Sequence, residues 1–84
     1  MEPNPQRDLE DGVREVIARV FQLSSFDAQG DLRMGNPPQW DSMGHMELVI
    51  ELETAFGLTF PTYAMAELVT VGAIRRAIEQ HRDK

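Results

Sequence analysis

Apolar residues recur at helical spacing in the first part of the chain. From Asp8 to about Gln22, charged residues occupy one side of the pattern and the other side is apolar: Leu9, Val13, Val16, Ile17 and Val20. Apolar positions at steps of three and four predict an amphipathic helix. Together with the later stretches and the absence of strand-like alternation, the pattern predicts an all-α protein. We expect a small bundle of three main helices plus one short helix.

A second helix is predicted to begin at Asp41-Ser42. Asp41 is a suitable N-cap, because its carboxylate can accept a hydrogen bond from an amide that has no partner inside the helix. Leu48, Leu52 and Phe56 follow at four-residue steps and predict the side that faces the core. Gly57 is predicted to end the helix.

The same helix carries more apolar residues than one core-facing side requires. Met43, Met46 and Ile50 form a second stripe, rotated away from the first. Burial of both stripes is one interpretation. The alternative is a partly exposed, methionine-rich patch suited to partner contact, beside the carboxylates of Glu47, Glu51 and Glu53. We therefore predict a partner-binding surface made of these six residues.

The remaining stretches are a loop, a short helix and a last helix. Residues 23–40 contain the glycines and prolines typical of a connection. A loop of this length in a small domain is usually functional or packed down by its own side chains, and the candidates for that packing are Phe26, Leu32, Met34 and Trp40. One or two helical turns are predicted over 62–68. A last helix should start after Thr70, with Val71, Ile74 and Ile78 in the core and Arg75, Arg76, Glu79 and Arg82 in water. We predict a disordered segment over 1–6 and a single domain over 7–84.

Length and charge narrow the class of protein. A chain of 84 residues has room for one modest core, which favours a binding or carrier module over an enzyme. Fourteen acidic against eight basic side chains give a net charge of −6, which disfavours nucleic acid and favours partners with basic patches. No cysteine is present, and no apolar stretch approaches the roughly 20 residues of a membrane span. The expectation is a soluble, cytoplasmic monomer that binds neither nucleic acid nor membrane.

Ser42 is the candidate for covalent chemistry. A phosphate on its hydroxyl would lie near free backbone amides and the positive end of the helix dipole, an effect of about 0.3–1 kcal/mol at an exposed site. Asp41 beside it would offset part of this. A serine at a helix start is more often only a cap, so position alone does not decide between the two roles.

The surrounding residues resemble a known family. Residues 41–53, Asp-Ser-Met-Gly-His-Met-Glu-Leu-Val-Ile-Glu-Leu-Glu, are similar to the prosthetic-group segment of acyl carrier proteins. In that family an Asp-Ser-Leu triplet opens the second helix, and Met43 stands here where leucine is usual. The similarity continues through Phe56-Gly57, Phe60-Pro61 and Thr70-Val71.

The resemblance implies a carrier that performs no catalysis itself. It implies 4′-phosphopantetheine, derived from coenzyme A, on Ser42, with Asp41 as the adjacent N-cap. A phosphopantetheinyl transferase and acyl-loading and acyl-transfer enzymes would be the partners, and the acyl group would be held as a thioester.

Departures from the family pattern favour a specialised pathway over bulk fatty-acid synthesis. Gln39 stands where the family usually has a glycine, and the bulky Trp40 follows it. Gly44 stands where an acidic residue is often found, and His45 follows it. The segment 62–67 has Glu67 as its single charge. Two alternatives stay open: a D-alanyl or other aminoacyl carrier, which the tetrad Asp41-Ser42-Met43-Gly44 also resembles, and an unmodified acidic helical adaptor.

Catalytic and metal sites are not predicted. Ser42 and His45 are three residues apart on a helix and could touch, but nothing in the sequence supplies an oxyanion hole or a pocket. His45 is expected on the helix surface near the arm, and Trp40 is expected to anchor the loop. The two histidines, His45 and His81, do not have metal-ligand spacing.

Overall fold

The computed structural model describes residues 5–81, which form helices joined by loops and contain no β-strand. The elements in chain order are α1 (Pro5–Phe21), α2 (Ser25–Ala28), α3 (Ser42–Phe56), a 3-10 helix (Thr62–Glu67) and α4 (Val71–His81). The predicted all-α class, with three main helices, is confirmed. None of the helices in this part of the chain is long and apolar enough to cross a membrane.

The core lies where α1 packs against α3 and α4. α1 contributes Leu9, Val13, Val16, Ile17 and Phe21, α3 contributes Leu48, Val49 and Leu52, and α4 contributes Val71, Ile74 and Ile78. These are the stripes that the helical spacing predicted, because residues three and four apart lie on one side of a helix. Phe56, which was predicted to belong to the core stripe of α3, is half-buried and packs at its edge.

The first helix begins earlier than its apolar pattern does. α1 starts at Pro5, whose fixed φ and missing amide hydrogen suit the first position of a helix. Of the segment predicted to be disordered, residues 1–4 lie outside the described residues, and residues 5–6 belong to α1. Arg82, predicted on the exposed side of the last helix, also lies outside them.

The long connection between α1 and α3 contains a helical turn that the sequence did not predict. The hydroxyl of Ser24 accepts a hydrogen bond from the amide of Asp27 at 3.1 Å and so caps α2. Leu32 and Trp40 are buried as expected, but the same expectation for Phe26 and Met34 is wrong, since both are exposed. The connection is held by polar contacts instead: the guanidinium of Arg14 donates to the carbonyls of Ala28 and Gly30 at 3.0 and 2.7 Å.

The last two elements follow their predicted positions. The segment Thr62–Glu67 is a 3-10 helix that packs beside α4. Thr70 precedes α4, and its hydroxyl accepts a hydrogen bond from the amide of Ala73 at 3.0 Å. This contact is the cap that was predicted for the last helix.

Candidate functional site

The start of α3 has the geometry of a capped helix. Asp41 has extended backbone angles (φ −105°, ψ −166°), and its Oδ1 accepts a hydrogen bond from the amide of Gly44 at 2.9 Å. Its carbonyl accepts from the amide of His45 at 2.7 Å. Gly57 ends the helix in the left-handed conformation, with φ 65°. Both boundaries agree with the sequence prediction.

Ser42 is the first residue of α3 and is exposed. Helices leave the amides of their first turn without intrahelical acceptors. Here the amide of Gly44 is bonded to Asp41, whereas those of Ser42 and Met43 find no acceptor within residues 5–81. An accessible hydroxyl beside two available amides fits a phosphodiester, because both amides can donate to its oxygens.

Gly44 allows the first turn of α3 to lie against the preceding loop. A Cβ at this position would overlap the carbonyl oxygen of Gln39 and come within 2.9 Å of Cε1 of Phe21. Any larger residue would push the start of α3 away from α1. The departure from the family pattern at Gly44 therefore has a packing reason that the sequence alone did not supply.

Trp40 and His45 form a buried polar pair directly beneath the start of α3. The indole Nε1–H of Trp40 donates to Nδ1 of His45 at 2.9 Å, and the two rings are nearly parallel (15°), with centroids 6.2 Å apart. Because indole nitrogen can only donate, Nδ1 is the acceptor and the imidazole proton is on Nε2. Nε2–H then donates to the carbonyl of Met65 at 2.8 Å, which joins α3 to the 3-10 helix.

The expectation that His45 lies on the helix surface is wrong. It is only 7% exposed, because Trp40 and the carbonyl of Met65 supply one partner for each ring nitrogen. Both nitrogens are therefore engaged, and His45 does not act as a base toward Ser42. Trp40 is fully buried, as expected of a loop anchor, and also stacks on Phe21 with centroids 6.0 Å apart.

The second apolar stripe of α3 faces solvent. Met43 is 83% exposed, and Met46 and Ile50 are each 59% exposed, whereas Leu48 and Leu52 are fully buried. Burial of both stripes is thereby excluded. The exposed stripe is available for contact, and its role in binding a partner stays a prediction.

The three carboxylates predicted beside this stripe differ in their surroundings. Glu47 is exposed and forms no ion pair with the described residues. Glu51 lies 3.7 Å from the guanidinium of Arg19 on α1. Oε2 of Glu53 accepts a hydrogen bond from the amide of Phe60 at 2.9 Å and so fixes the chain after α3. Glu47 is therefore the carboxylate most available to a basic partner.

Comparison with known proteins bears on the predicted family. The chain is 27% identical over 78 residues to the acyl carrier protein of Lactobacillus johnsonii, an alignment covering 93% of this chain and 98% of the relative. This similarity supports the predicted resemblance to the acyl carrier protein family. No protein-family model matches the chain, and no solved structure matches it significantly.

The segment that resembles acyl carrier proteins lies at the start of α3 and along that helix. The alignment spans nearly the whole chain, so it includes the start of α3 as well as the helices that support it. The segment similar to the family's prosthetic-group segment forms the N-cap and most of α3, and Ser42 is at its exposed end. The buried pair of Trp40 and His45 is the feature of this region that sequence reasoning missed.

Proposed function

We propose that this protein is an acyl carrier protein whose Ser42 is the attachment site of 4′-phosphopantetheine. The observation that carries the proposal is the exposed hydroxyl of Ser42 at the first position of a helix capped by Asp41, inside the segment similar to the family. The group, when attached, supplies a terminal thiol that holds an acyl group as a thioester. A phosphopantetheinyl transferase and acyl-loading and acyl-transfer enzymes are the partners of this proposal.

The chain's own residues would hold and present the attachment point. The amides of Ser42 and Met43 are available to donate to phosphate oxygens, and the helix dipole adds a favourable term. The hydrogen bonds from Trp40 to His45 and from His45 to Met65 fix the loop, α3 and the 3-10 helix relative to one another. Ser42 would thus be offered from a rigid support.

The exposed stripe of α3 is the proposed docking face. Apolar contact would come from the exposed side chains of Met43, Met46 and Ile50, and negative charge from Glu47. The predicted set also includes Glu51 and Glu53, each of which already has a partner inside the protein. Charge speeds encounter, and a small apolar patch allows fast release. Such a face suits a carrier that visits several enzymes.

A dedicated pathway, distinct from bulk fatty-acid synthesis, is the finer proposal. Glu67 is the one charged residue of the 3-10 helix. An enzyme that recognises acidic side chains on this element would therefore find few contacts. Tyr63 on this element is 76% exposed, so its surface is aromatic as well as nearly uncharged. Mass spectrometry of the natively purified protein would identify the cargo and separate an acyl from a D-alanyl or other aminoacyl carrier.

Loading of the wild-type protein tests the proposal. Incubation with coenzyme A and a broad-specificity phosphopantetheinyl transferase should add the mass of one phosphopantetheine, because one exposed serine begins the capped helix α3. Intact-protein mass spectrometry measures the gain. A known carrier protein in a parallel reaction shows that the transferase is active. If that control is loaded and this protein is not, the carrier function is refuted and the unmodified adaptor becomes the better interpretation.

Charge reversal at Glu47 tests the docking face. Glu47→Lys should reduce kcat/KM of the transferase for this protein at low salt, with a smaller effect at high salt, since screening weakens exposed charge contacts. Asp11→Lys is the matched control, because Asp11 is also exposed but lies on α1 beside α2. Equal losses for the two variants would show that net charge alone, and not the face of α3, accounts for the effect.

A further inference from the structure

A groove of about 380 Å³ lies beside Ser42, between the end of α1 and the first turns of α3. Met43 and Gly44 line it, and they directly follow Ser42 in the chain. Consecutive Cα atoms are 3.8 Å apart, so the groove begins within one residue of the proposed attachment point. Its volume is within the range of about 300–1,000 Å³ that small-ligand sites occupy.

The lining of this groove combines apolar surface with amide groups. Val20, Phe21 and Met43 supply the apolar part. Gln22 and Gln39, whose side chains end in amides, also line the groove. Nε2 of Gln39 donates to the carbonyl of Phe21 at 3.2 Å, which fixes that amide and leaves its carbonyl oxygen as an acceptor.

Two residues of α3 shape the groove. Gly44 has no side chain, so the helix lies directly against Phe21 and the loop carbonyl of Gln39. The wall beside Ser42 is consequently backbone and aromatic ring, which does not obstruct a chain running along it. Glu47 lies four residues after Met43, about 6 Å further along α3, and its carboxylate can accept from an amide N–H.

We propose that this groove seats the pantetheine part of the arm on Ser42, an inference that rests on the proposed function. Pantetheine carries a geminal dimethyl group and two amides, which is the same combination of groups as the lining. The dimethyl group would lie against Val20 and Met43, and the arm's amides would pair with Gln22 and Gln39. The phosphate would stay at the amides of Ser42 and Met43, away from Glu47.

A larger groove of about 560 Å³ provides a structural comparison. It lies between the 3-10 helix and α4 and is lined by Tyr63, Arg76 and His81 among others, with no residue from α3 or from the loop before it. None of the residues that line it is adjacent to Ser42 in the chain, whereas Met43 and Gly44 line the smaller groove. The smaller groove is therefore the assigned seat.

Nuclear magnetic resonance of the apo and loaded forms tests the assignment. Loading is first verified by intact mass. The amide chemical shifts of Val20, Phe21 and Gln22 should then change. These residues precede Ser42 by about twenty residues, so a change there would report contact with the arm through space. Nuclear Overhauser contacts should join the arm's geminal methyl protons to the methyl groups of Val20. Amides at Ser42 and Met43 shift in any loaded form and are not used.

Matched variants sharpen the result. Gln22→Gly removes one proposed amide contact while glycine accepts the left-handed backbone of this residue, which has φ 56°. It should weaken the contacts to Val20, whereas Gln80→Ala, in the larger groove, should leave them unchanged. The reverse pattern, or methyl contacts to Tyr63 and Ala77, would assign the arm to the larger groove. If the protein is loaded but the arm shows no contacts to the chain, the proposed binding of the arm in the groove is refuted and the carrier function is not. If the protein gains no mass, both the groove assignment and the carrier function are refuted.

Discussion

Substituting Ser42 by alanine is expected to abolish the gain of one phosphopantetheine mass. The hydroxyl oxygen of Ser42 is the proposed nucleophile: it would attack the phosphorus that bears the pantetheine arm of coenzyme A, the pyrophosphate bond would break, and adenosine 3′,5′-bisphosphate would leave. Alanine has no such oxygen. The helix should persist, because its cap is the carboxylate of Asp41 and alanine has the best helix propensity. Intact mass after incubation with the transferase and coenzyme A measures the loss, and far-UV circular dichroism of the same sample checks the fold.

Ser25 provides a matched control within the same chain. It is exposed, and it is the first residue of α2 after a capping residue, Ser24, just as Ser42 follows Asp41 at α3. Ser25→Ala should be loaded as fully as the wild type. Loading of Ser42→Ala, or loss of loading in Ser25→Ala, would place the modification elsewhere. Full loss of loading in Ser42→Ala and full loading of Ser25→Ala would show that an exposed serine at a helix start is not sufficient. The surroundings of Ser42 would then determine which serine is modified.

Much of α3 could be predicted from sequence because its determinants are local. An N-cap residue, a four-residue apolar step and a terminal glycine each act within one or two helical turns, so Asp41, Leu48, Leu52 and Gly57 were assigned correctly. The exposure of Met46 follows from the same helical geometry once the core stripe is fixed. These features required no knowledge of the other helices.

The burial of His45 could not be predicted in the same way, because its partners lie outside α3. One is the indole of Trp40 in the loop, and the other is the carbonyl of Met65, twenty residues further along the chain. A polar side chain can be buried when its groups are satisfied, and only the tertiary fold shows that both nitrogens are. The need for glycine at position 44 could not be predicted either, because it arises from the closeness of Gln39 and Phe21, which lie outside α3.

The exposed residues of the first loop show the opposite error. Phe26 is 87% exposed, although an aromatic residue in a long loop suggested a packing role. The capped turn of α2 and the contacts of Arg14 satisfy the loop backbone without it. A hydrophobic pattern does not show which polar side chains will donate hydrogen bonds to distant carbonyls. The sequence therefore suggested that apolar packing holds the loop, whereas hydrogen bonds hold it.

Replacing Trp40 by alanine is expected to lower the free energy of unfolding by about 3–5 kcal/mol, the usual cost of deleting a buried large aromatic side chain. Trp40 is fully buried, and its ring lies between Phe21 and His45. A domain of this size has a total stability of about 4–13 kcal/mol at 0.05–0.15 kcal/mol per residue, so this loss is a large part of it. Urea titration followed by far-UV circular dichroism measures the change.

Tyr63→Ala is the control for the Trp40 experiment. Tyr63 is also aromatic but is 76% exposed, so its loss should change the free energy of unfolding by no more than about 0.5 kcal/mol. A cost below about 1 kcal/mol for Trp40→Ala would contradict the buried position of the indole, because even a partly collapsed cavity costs more than that.

A double-mutant cycle then separates the hydrogen bond of Trp40 from its packing. Trp40→Phe leaves Nδ1 of His45 buried without a donor, a penalty of about 1–3 kcal/mol in addition to lost contacts. In the variant that also carries His45→Phe, neither member of the pair remains to be left unsatisfied. The double variant should therefore lose less stability than the sum of the two single variants, by about 0.5–3 kcal/mol. Strict additivity would mean that the indole and the imidazole do not share a hydrogen bond.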